Sequence, residues 1–414
     1  MHFRIHHALI LLFCLPLTIQ GEPLKVFILA GQSNMEGHAH IRVLDYLGNC
    51  EDTKHLLPKI KSQDGSFRTI PDVWISYLTG KSRSDSPNQE IHGPLLAGYG
   101  SLSGRVDDSP GEKIGPELAF GITAQELLGE PILLIKTAWG GQSLAVHFRS
   151  PSSGPYPQTA ANARKFDTKE KRKQLEEATG ARYRQLVAHV NLVLADIERV
   201  YPDYDASQGY ELAGFAWFQG FNDLVDRSTY PNRDQPGGYD QYGEWLANLI
   251  RDLRRDLNAP TMPFAIGVLG TGGPIEHLEE RYQQVHTHFR DAMASPAALP
   301  EFLGNVVAVR TGPFWDVNLG EIDKKRDLLR GKARALRSKN KAHENADGFM
   351  SPKEIDAFLK NYEQELFTKE EIALEARGKS NAAYHYLGAA TIYSRIGMAL
   401  ARSLLQESGK PPSP

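Results

Sequence analysis

The sequence predicts an α/β protein, a three-layer α/β/α sandwich around a five-stranded parallel sheet. Five short β-branched or aromatic runs, Leu24–Ala30, Pro131–Thr137, Leu212–Phe218, Pro263–Leu269 and Asn305–Val309, are apolar nearly throughout, as strands covered on both faces are. Amphipathic helical stretches lie between or after them, at Pro116–Leu128, Lys169–Val200, Tyr239–Leu257, Glu276–Ala294 and Leu387–Leu405. Strand and helix alternate, and that alternation lays strands side by side in parallel with helices on both faces.

The elements follow in order. The first strand is succeeded by residues 37–115, rich in Gly, Ser, Asp and Pro and with little periodicity, a long connection of the kind that forms a binding surface or an insertion. Pro116 opens the next helix at the position where a missing N–H costs nothing. Residues 138–167, after the second strand, form a second irregular connection. After the fifth strand, residues 323–366 read as a charged helical insertion: Lys and Arg interleaved with Leu and Ala, a Gly turn, then a second helix starting at Ser351-Pro352. Within it, the spacing from His343 through Asn345, Asp347 and Gly348 to Glu354 imitates a calcium loop, but a first-position histidine is a poor ligand for a hard cation. The segment is therefore read as a polar helix-turn-helix. A Pro/Ser tail, residues 407–414, closes the chain and is expected to be disordered.

A chain of 414 residues accommodates one large domain with insertions, here residues 22–406. Before it, Arg4 and several histidines precede an apolar run from Ala8 to Leu17 and a polar stretch from Thr18 to Glu22, the layout of a signal peptide over residues 1–21. A secreted or periplasmic protein is the expectation. No later segment approaches a membrane-spanning apolar run, so membrane insertion is not expected. The balance of 47 basic against 50 acidic residues gives no reason to expect nucleic acid as a partner. Loss of Cys14 with the leader leaves Cys50 alone, which excludes an intramolecular disulfide. The oligomeric state is not legible.

Chemistry concentrates at the ends of three strands. Gly31-Gln32-Ser33-Asn34-Met35 turns out of the first strand, and in a parallel α/β sheet the carboxyl ends of strands face the ligand crevice. A lone serine there is more often a helix cap. Two further turns on the same edge change that balance. Trp139-Gly140-Gly141 follows the second strand and offers backbone N–H groups at close approach; Gln219-Gly220-Phe221-Asn222-Asp223 follows the third and offers amide donors. Donors of these kinds suit an oxyanion hole. A serine nucleophile needs a base, and of 14 histidines His385, just before the last helix and on the same sheet edge, is best placed, with His147 second.

The combination of Gly31-Gln32-Ser33-Asn34-Met35, Trp139-Gly140-Gly141, Gly220-Phe221-Asn222-Asp223 and Tyr384-His385-Tyr386 resembles the SGNH hydrolase superfamily. Within it the chain, from about residue 24 to residue 405, is similar to the sialate O-acetylesterase and carbohydrate esterase family 6 group. The resemblance implies a flavodoxin-like sheet and a Ser-His hydrolytic centre at Ser33 and His385. It also implies an oxyanion hole from the Ser33 amide, Gly141 (or Gly140) and Asn222, with Gln219 assisting. That family commonly carries an Asp three residues before the histidine, where this chain has Ala382. Asp316, just after the last strand, is the candidate third member, with a backbone carbonyl as the alternative orienting group.

The expected reaction is hydrolysis of a small acyl ester, acetyl by resemblance, on a carbohydrate through an acyl-enzyme. Gln32, Gln219, Trp139 and Arg149 are expected to contact substrate, as is Trp315, with a core role the alternative for the two tryptophans. No metal or organic cofactor is called for: the sequence has no His-x-x-x-His pair on a helix, no cysteine cluster and no phosphate loop. Two other readings fit the same residues, a catalytically silent carbohydrate-binding protein and a carbohydrate O-acyltransferase.

Overall fold

The structure, a computed structural model, describes residues 22–80, 88–102, 109–157 and 159–406. The expected leader, 1–21, and tail, 407–414, lie outside the described residues. In chain order the strands are β1 (Leu24–Gly31), β2 (Ala39–His40), β3 (Val73–Gly80), β4 (Asn88–Pro94), β5 (Lys113–Ile114), β6 (Ile132–Ala138), β7 (Tyr210–Phe218), β8 (Phe264–Val268) and β9 (Val306–Arg310). The five expected strands are β1, β6, β7, β8 and β9, all parallel to their neighbours.

The sheet has seven strands where five were expected, in the order β4-β3-β6-β1-β7-β8-β9. The additional pair, β3 and β4, comes from the 37–115 connection: β3 runs parallel to β6, and β4 closes that edge antiparallel. Val73-Trp74-Ile75-Ser76-Tyr77-Leu78 is itself a β-branched and aromatic run, but Ser76 and Thr79 interrupt its apolar character, and their environment explains them. Ser76 Oγ bonds Glu90 Oε1 at 2.8 Å and His189 Nε2 at 2.9 Å. Strands β2 and β5 form a separate two-stranded ladder.

Side-chain alternation shows the layers. Val73 and Leu134 meet helix α3 (Pro116–Leu128) at Gly121, and Phe27 packs edge-on against Phe120 at 5.4 Å. Ser76, out of phase with Val73, instead reaches His189 of α6 (Ala181–Ala195) on the opposite face. Helix α13 (Ala390–Gln406) lies beside α3, where Leu404 fills the space over Gly214.

Helices α8 (Asp240–Asp256) and α9 (Glu280–Ala294) pack on each other, and α9 also on β8. The expected helix over Lys169–Val200 is two, α5 (Lys169–Ala178) and α6, parted at Thr179-Gly180. Short helices complete the connections: α1 (Ser33–Glu36), α2 (Leu57–Ile60), α4 (Ala160–Lys165) and α7 (Phe221–Val225). The charged insertion holds α10 (Val317–Arg337), α11 (Pro352–Leu366) and then α12 (Lys369–Gly378), joined by Lys325–Glu371 at 2.6 Å and by Arg326 to Glu375 at 2.6 Å. In the calcium-like loop, Asn345 bonds Leu336 O and Met350 N, both at 2.9 Å, while Glu354 caps α11 with Ser351. Those groups are spent on local structure. No helix among the described residues is long and apolar enough to cross a membrane.

One buried ion pair anchors the first turn of chain beyond β1. Lys136, wholly buried on the α3 face of β6, lies 2.7 Å from Glu117 Oε2 of α3 and also donates to the carbonyls of Glu36 (2.8 Å) and Tyr99 (2.7 Å). All three ammonium donors are thereby used. Burial pulls Lys136 down and pushes Glu117 up, and the pair's mutual attraction opposes both shifts. Glu117→Gln leaves the ammonium buried without its counter-charge, and we expect a loss of about 3–5 kcal/mol, read as a lower midpoint in denaturant unfolding.

Candidate active site

Because β6 and β7 flank β1 on opposite sides, chain order reverses at β1, and a crevice opens where these three strands end. The turn after β1 begins at Gly31, where a Cβ would stand 2.1 Å from the Phe218 carbonyl of β7. Only glycine permits that approach, and it sets Gln32 and Ser33 between the two neighbouring strand ends. In α1 the Met35 and Glu36 amides bond back to the Gln32 carbonyl, and the Ser33 N–H, at the first helical position, has no intrahelical partner. Ser33 is buried, at 8% exposure.

Three strand-end turns are locked together by side-chain amides. Gln32 Oε1 accepts from Gln219 Nε2 at 3.0 Å and from the Gly220 and Asn222 amides at 3.2 and 3.3 Å; Gln32 Nε2 donates to Asn222 Oδ1 at 2.8 Å. Asp223, fully buried, accepts from the Leu144 and Ala145 amides (2.8 and 3.1 Å), from Gln219 Nε2 (2.7 Å) and from Tyr230 Oη (3.0 Å). The β6 and β7 turns are thus held to each other by Asp223 and to the β1 turn by Gln32. Asn222, its side-chain oxygen engaged by Gln32, lines a cleft. Gly141, at φ +73°, has open space where a side chain would be and lines the same cleft, while Gly140 packs against Glu36 and Ser33. The cleft, of about 640 Å³, extends past His147, Phe166 and Leu175.

His385 is brought to the Ser33 turn by Asn34. Asn34 Nδ2 donates to the Tyr384 carbonyl at 3.1 Å, and Tyr393 Oη bridges Asn34 Oδ1 (3.3 Å) and the His385 carbonyl (3.2 Å). The histidine's loop is strained: Tyr386 and Leu387 both have left-handed backbones, φ +48° and +61°. Tyr386 Oη anchors it, accepting from the Gly270 amide at 2.7 Å and pairing with Thr311 Oγ1 at 2.7 Å. The His385 ring stacks on His38, with centroids 3.9 Å apart, and His38 Nε2 lies 3.6 Å from Glu36.

The group that orients His385 is Asn381, not Asp316. His385 Nδ1 faces Asn381 Oδ1 at 3.1 Å, and the same oxygen accepts the Ala382 amide at 2.8 Å. An atom that accepts a backbone N–H is an oxygen, so Nδ1 carries the proton and Nε2 keeps its lone pair. Asp316 caps α10 by accepting the Leu319 amide at 3.0 Å, a local demand that a residue just ahead of a helix satisfies at close range. Burial, reinforced by His38 and Lys113, pulls His385 down to about 3, so its imidazole is neutral at neutral pH. His147 is also pulled down by burial, to about 4; its Nδ1 accepts the Ser143 amide at 3.1 Å, which leaves the proton on Nε2.

The expected substrate contacts fare differently. Gln32 and Gln219 are each 1% exposed and committed to the brace between turns. Trp139 is wholly buried, its indole N–H directed to Asn88 Oδ1 at 3.2 Å, with Arg182 over the ring. Arg149 is 5% exposed and spends its donors on the carbonyls of Ala145, Ser153, Gly154 and Pro155. Trp315 packs against Tyr386. None of the first four has surface left with which to touch a sugar. Asp223, Asn34, His38 and Asn381 were missed as individual roles, although Asp223 and Asn34 stand inside the motifs that drew attention and Asn381 adjoins Ala382.

Asp223 supplies a test of the brace. Burial pushes its carboxyl up to about 6, while four donors favour the ionised form. Asp223→Asn sets an NH2 against donors, at a cost of about 1–3 kcal/mol. We expect a lower melting temperature by calorimetry and a fall in turnover, with the circular dichroism spectrum retained.

A family model described as carbohydrate esterase, sialic acid-specific acetylesterase, matches residues 89–299, a span that includes Gly141, Asn222 and Asp223. No curated protein matches the chain. Two solved structures are similar to it at low identity. One is a protein from Arabidopsis thaliana, 21% identical, covering 70% of this chain and 86% of its own, with a TM-score of 0.36. The other is a carbohydrate acetylesterase from Xanthomonas citri, 14% identical, covering 69% of this chain and 49% of its own, also with a TM-score of 0.36. With half of its length matched by the family model, the chain belongs to the carbohydrate esterase family of sialic acid-specific acetylesterases.

Proposed function

We propose that the protein is a serine esterase that removes acetyl groups from carbohydrate hydroxyls, with Ser33 as nucleophile and His385 as general base and acid. The observation that carries this reading is the convergence just described. Asn34, beside Ser33, bonds the carbonyl of Tyr384, beside His385, at 3.1 Å; His385 Nδ1 faces Asn381 Oδ1; and Asn222, on the neighbouring strand end, has its oxygen engaged by Gln32.

In the proposed reaction His385 Nε2 takes the Ser33 proton as Oγ attacks the acetyl carbonyl. The Ser33 and Gly141 N–H groups and Asn222 Nδ2 hold the oxyanion. The C–O bond to the sugar then breaks, and His385 returns the proton to the departing hydroxyl. Water, deprotonated by the same nitrogen, attacks the acetyl-serine and releases acetate and free Ser33. The cleft beyond Gly141 and Asn222 takes the sugar. Asn381 orients the ring without a formal negative charge, so the imidazolium formed in the reaction is less stabilised than beside a carboxylate, which agrees with the low basicity of His385. We also propose export by way of residues 1–21.

Acetate release from an O-acetylated sugar, and hydrolysis of a chromogenic acetyl ester, test the reading. Ser33→Ala should abolish both, by about 10⁴-fold or more, and Asn222→Ala should lower kcat by about 10²–10³-fold. Binding of the acetylated sugar with no turnover by the wild type would favour a silent binding protein instead. Acetyl transfer to an excess sugar acceptor in preference to water would favour a transferase.

The pH dependence follows from His385. The folded-state value lies below the ordinary 6.5, so the base stays neutral as pH falls below 6.5, and activity is lost only on approach to about 3. The same depression means that protons favour the unfolded chain: the group's contribution to stability is intact above pH 6.5 and is lost as pH falls toward about 3. Asn381→Asp places a carboxylate beside Nδ1–H and should move the acid limb of kcat/KM up toward 6.5, read from a pH–rate profile.

A further inference from the structure

A second cavity, of about 200 Å³, lies at the carboxyl ends of β8 and β9 and is covered by α9. Its walls include Val268, Leu269, Ile275 and Pro313, and its charged lining is Arg290, Arg310 and Asp291. Arg290 is unusual among the buried cations here. It is 6% exposed, yet its guanidinium donates one hydrogen bond, from Nη2 to the Thr271 carbonyl at 3.2 Å, and Nε has no partner among the described residues.

Two other buried cations are more fully answered. Lys136 has Glu117, and Arg149 has four carbonyls. Burying a guanidinium is costly unless its charge and its five donors are answered. Asp291 does not answer them, because it pairs with Arg310 at 3.3 Å. Thr271 Oγ1, on the segment whose carbonyl Arg290 holds, is a second buried polar atom without a partner. Two guanidinium groups and one carboxylate line the cavity beside largely apolar walls; Glu276 acts on Arg290 only through space and takes none of its donors.

We propose that this cavity is a binding site for a short-chain monocarboxylate, its two oxygens held by the Arg290 guanidinium and its alkyl end packed among Val268, Leu269 and Ile275. A planar guanidinium matches a carboxylate by paired parallel hydrogen bonds, and the anion would answer donors that the chain leaves unused. The site is separate from the Ser33 crevice but connected to it. Thr311, in the cavity wall, holds the hydroxyl of Tyr386, the residue after His385. The inference does not depend on the assignment of Ser33 as nucleophile.

The test is a thermal-shift titration of the full chain at constant ionic strength, replacing chloride by acetate or butyrate, with sulfate as control. We expect the wild-type melting temperature to rise saturably, by about 2–4 °C at concentrations near 100 times Kd, with butyrate more effective than acetate. Arg290→Met should abolish the shift. Should that variant fail to fold, Thr287→Phe, which fills the cavity and keeps the guanidinium, should abolish it as well. No saturable shift in the wild type, an equal shift with sulfate, or an undiminished shift in the folded variants would overturn the proposal.

Discussion

The arrangement of the crevice depends on one small lattice of buried amides and a carboxylate. Gln32 Oε1 gathers three N–H donors from the β7 turn, and Asp223 gathers two backbone donors from the β6 turn, so three strand ends are fixed to one another by side chains. Inside a protein such bonds are strong when complete and costly when broken, which makes the lattice all-or-none. Ser33, Gly141 and Asn222 project from the braced turns. Their relative positions are therefore fixed by the fold, which is what the proposed oxyanion site would require.

On the other side of Ser33 the constraint is backbone strain rather than a lattice. Two consecutive non-glycine residues, Tyr386 and Leu387, hold left-handed conformations, and the buried Tyr386 hydroxyl, bonded to Gly270 and Thr311, keeps them there. Such strain persists only where surrounding contacts over-determine it. Its effect is to bring the chain back toward Asn34 just before α13 begins, with His385 presented between His38 and Tyr384. Asn381 then selects the tautomer. A largely buried ring, the stacked His38 imidazole and Lys113 disfavour the imidazolium, and the neutral Asn381 brings no charge to offset them.

The charged residues of the core divide by the same logic. Lys136 and Glu117 meet each other and leave no donor idle, and they tie the turn after Ser33 to α3. Arg290 keeps unused donors beside an open volume. The difference lies in what the chain supplies: a bonded carboxylate on the facing helix for Lys136, one carbonyl and no bonded carboxylate for Arg290.

The five principal strands, the helices that cover them and the three turns that bear Ser33, Gly141 and Asn222 were legible in the sequence, because burial on both faces imposes a continuous apolar run and close approach imposes glycine. Those are local demands, visible along the chain. Strand β3 escaped because Ser76 and Thr79 satisfy polar partners on other elements, Glu90, His189 and Glu36. Asp316 looked like a partner for His385 on position alone, whereas its carboxylate is taken by the adjacent helix end. Likewise Gln32, Gln219, Trp139 and Arg149 have the chemistry to bind a sugar and are buried. Tertiary structure alone decided which polar groups were already spent, since a hydrogen-bond partner hundreds of residues away leaves no trace in the spacing of the chain.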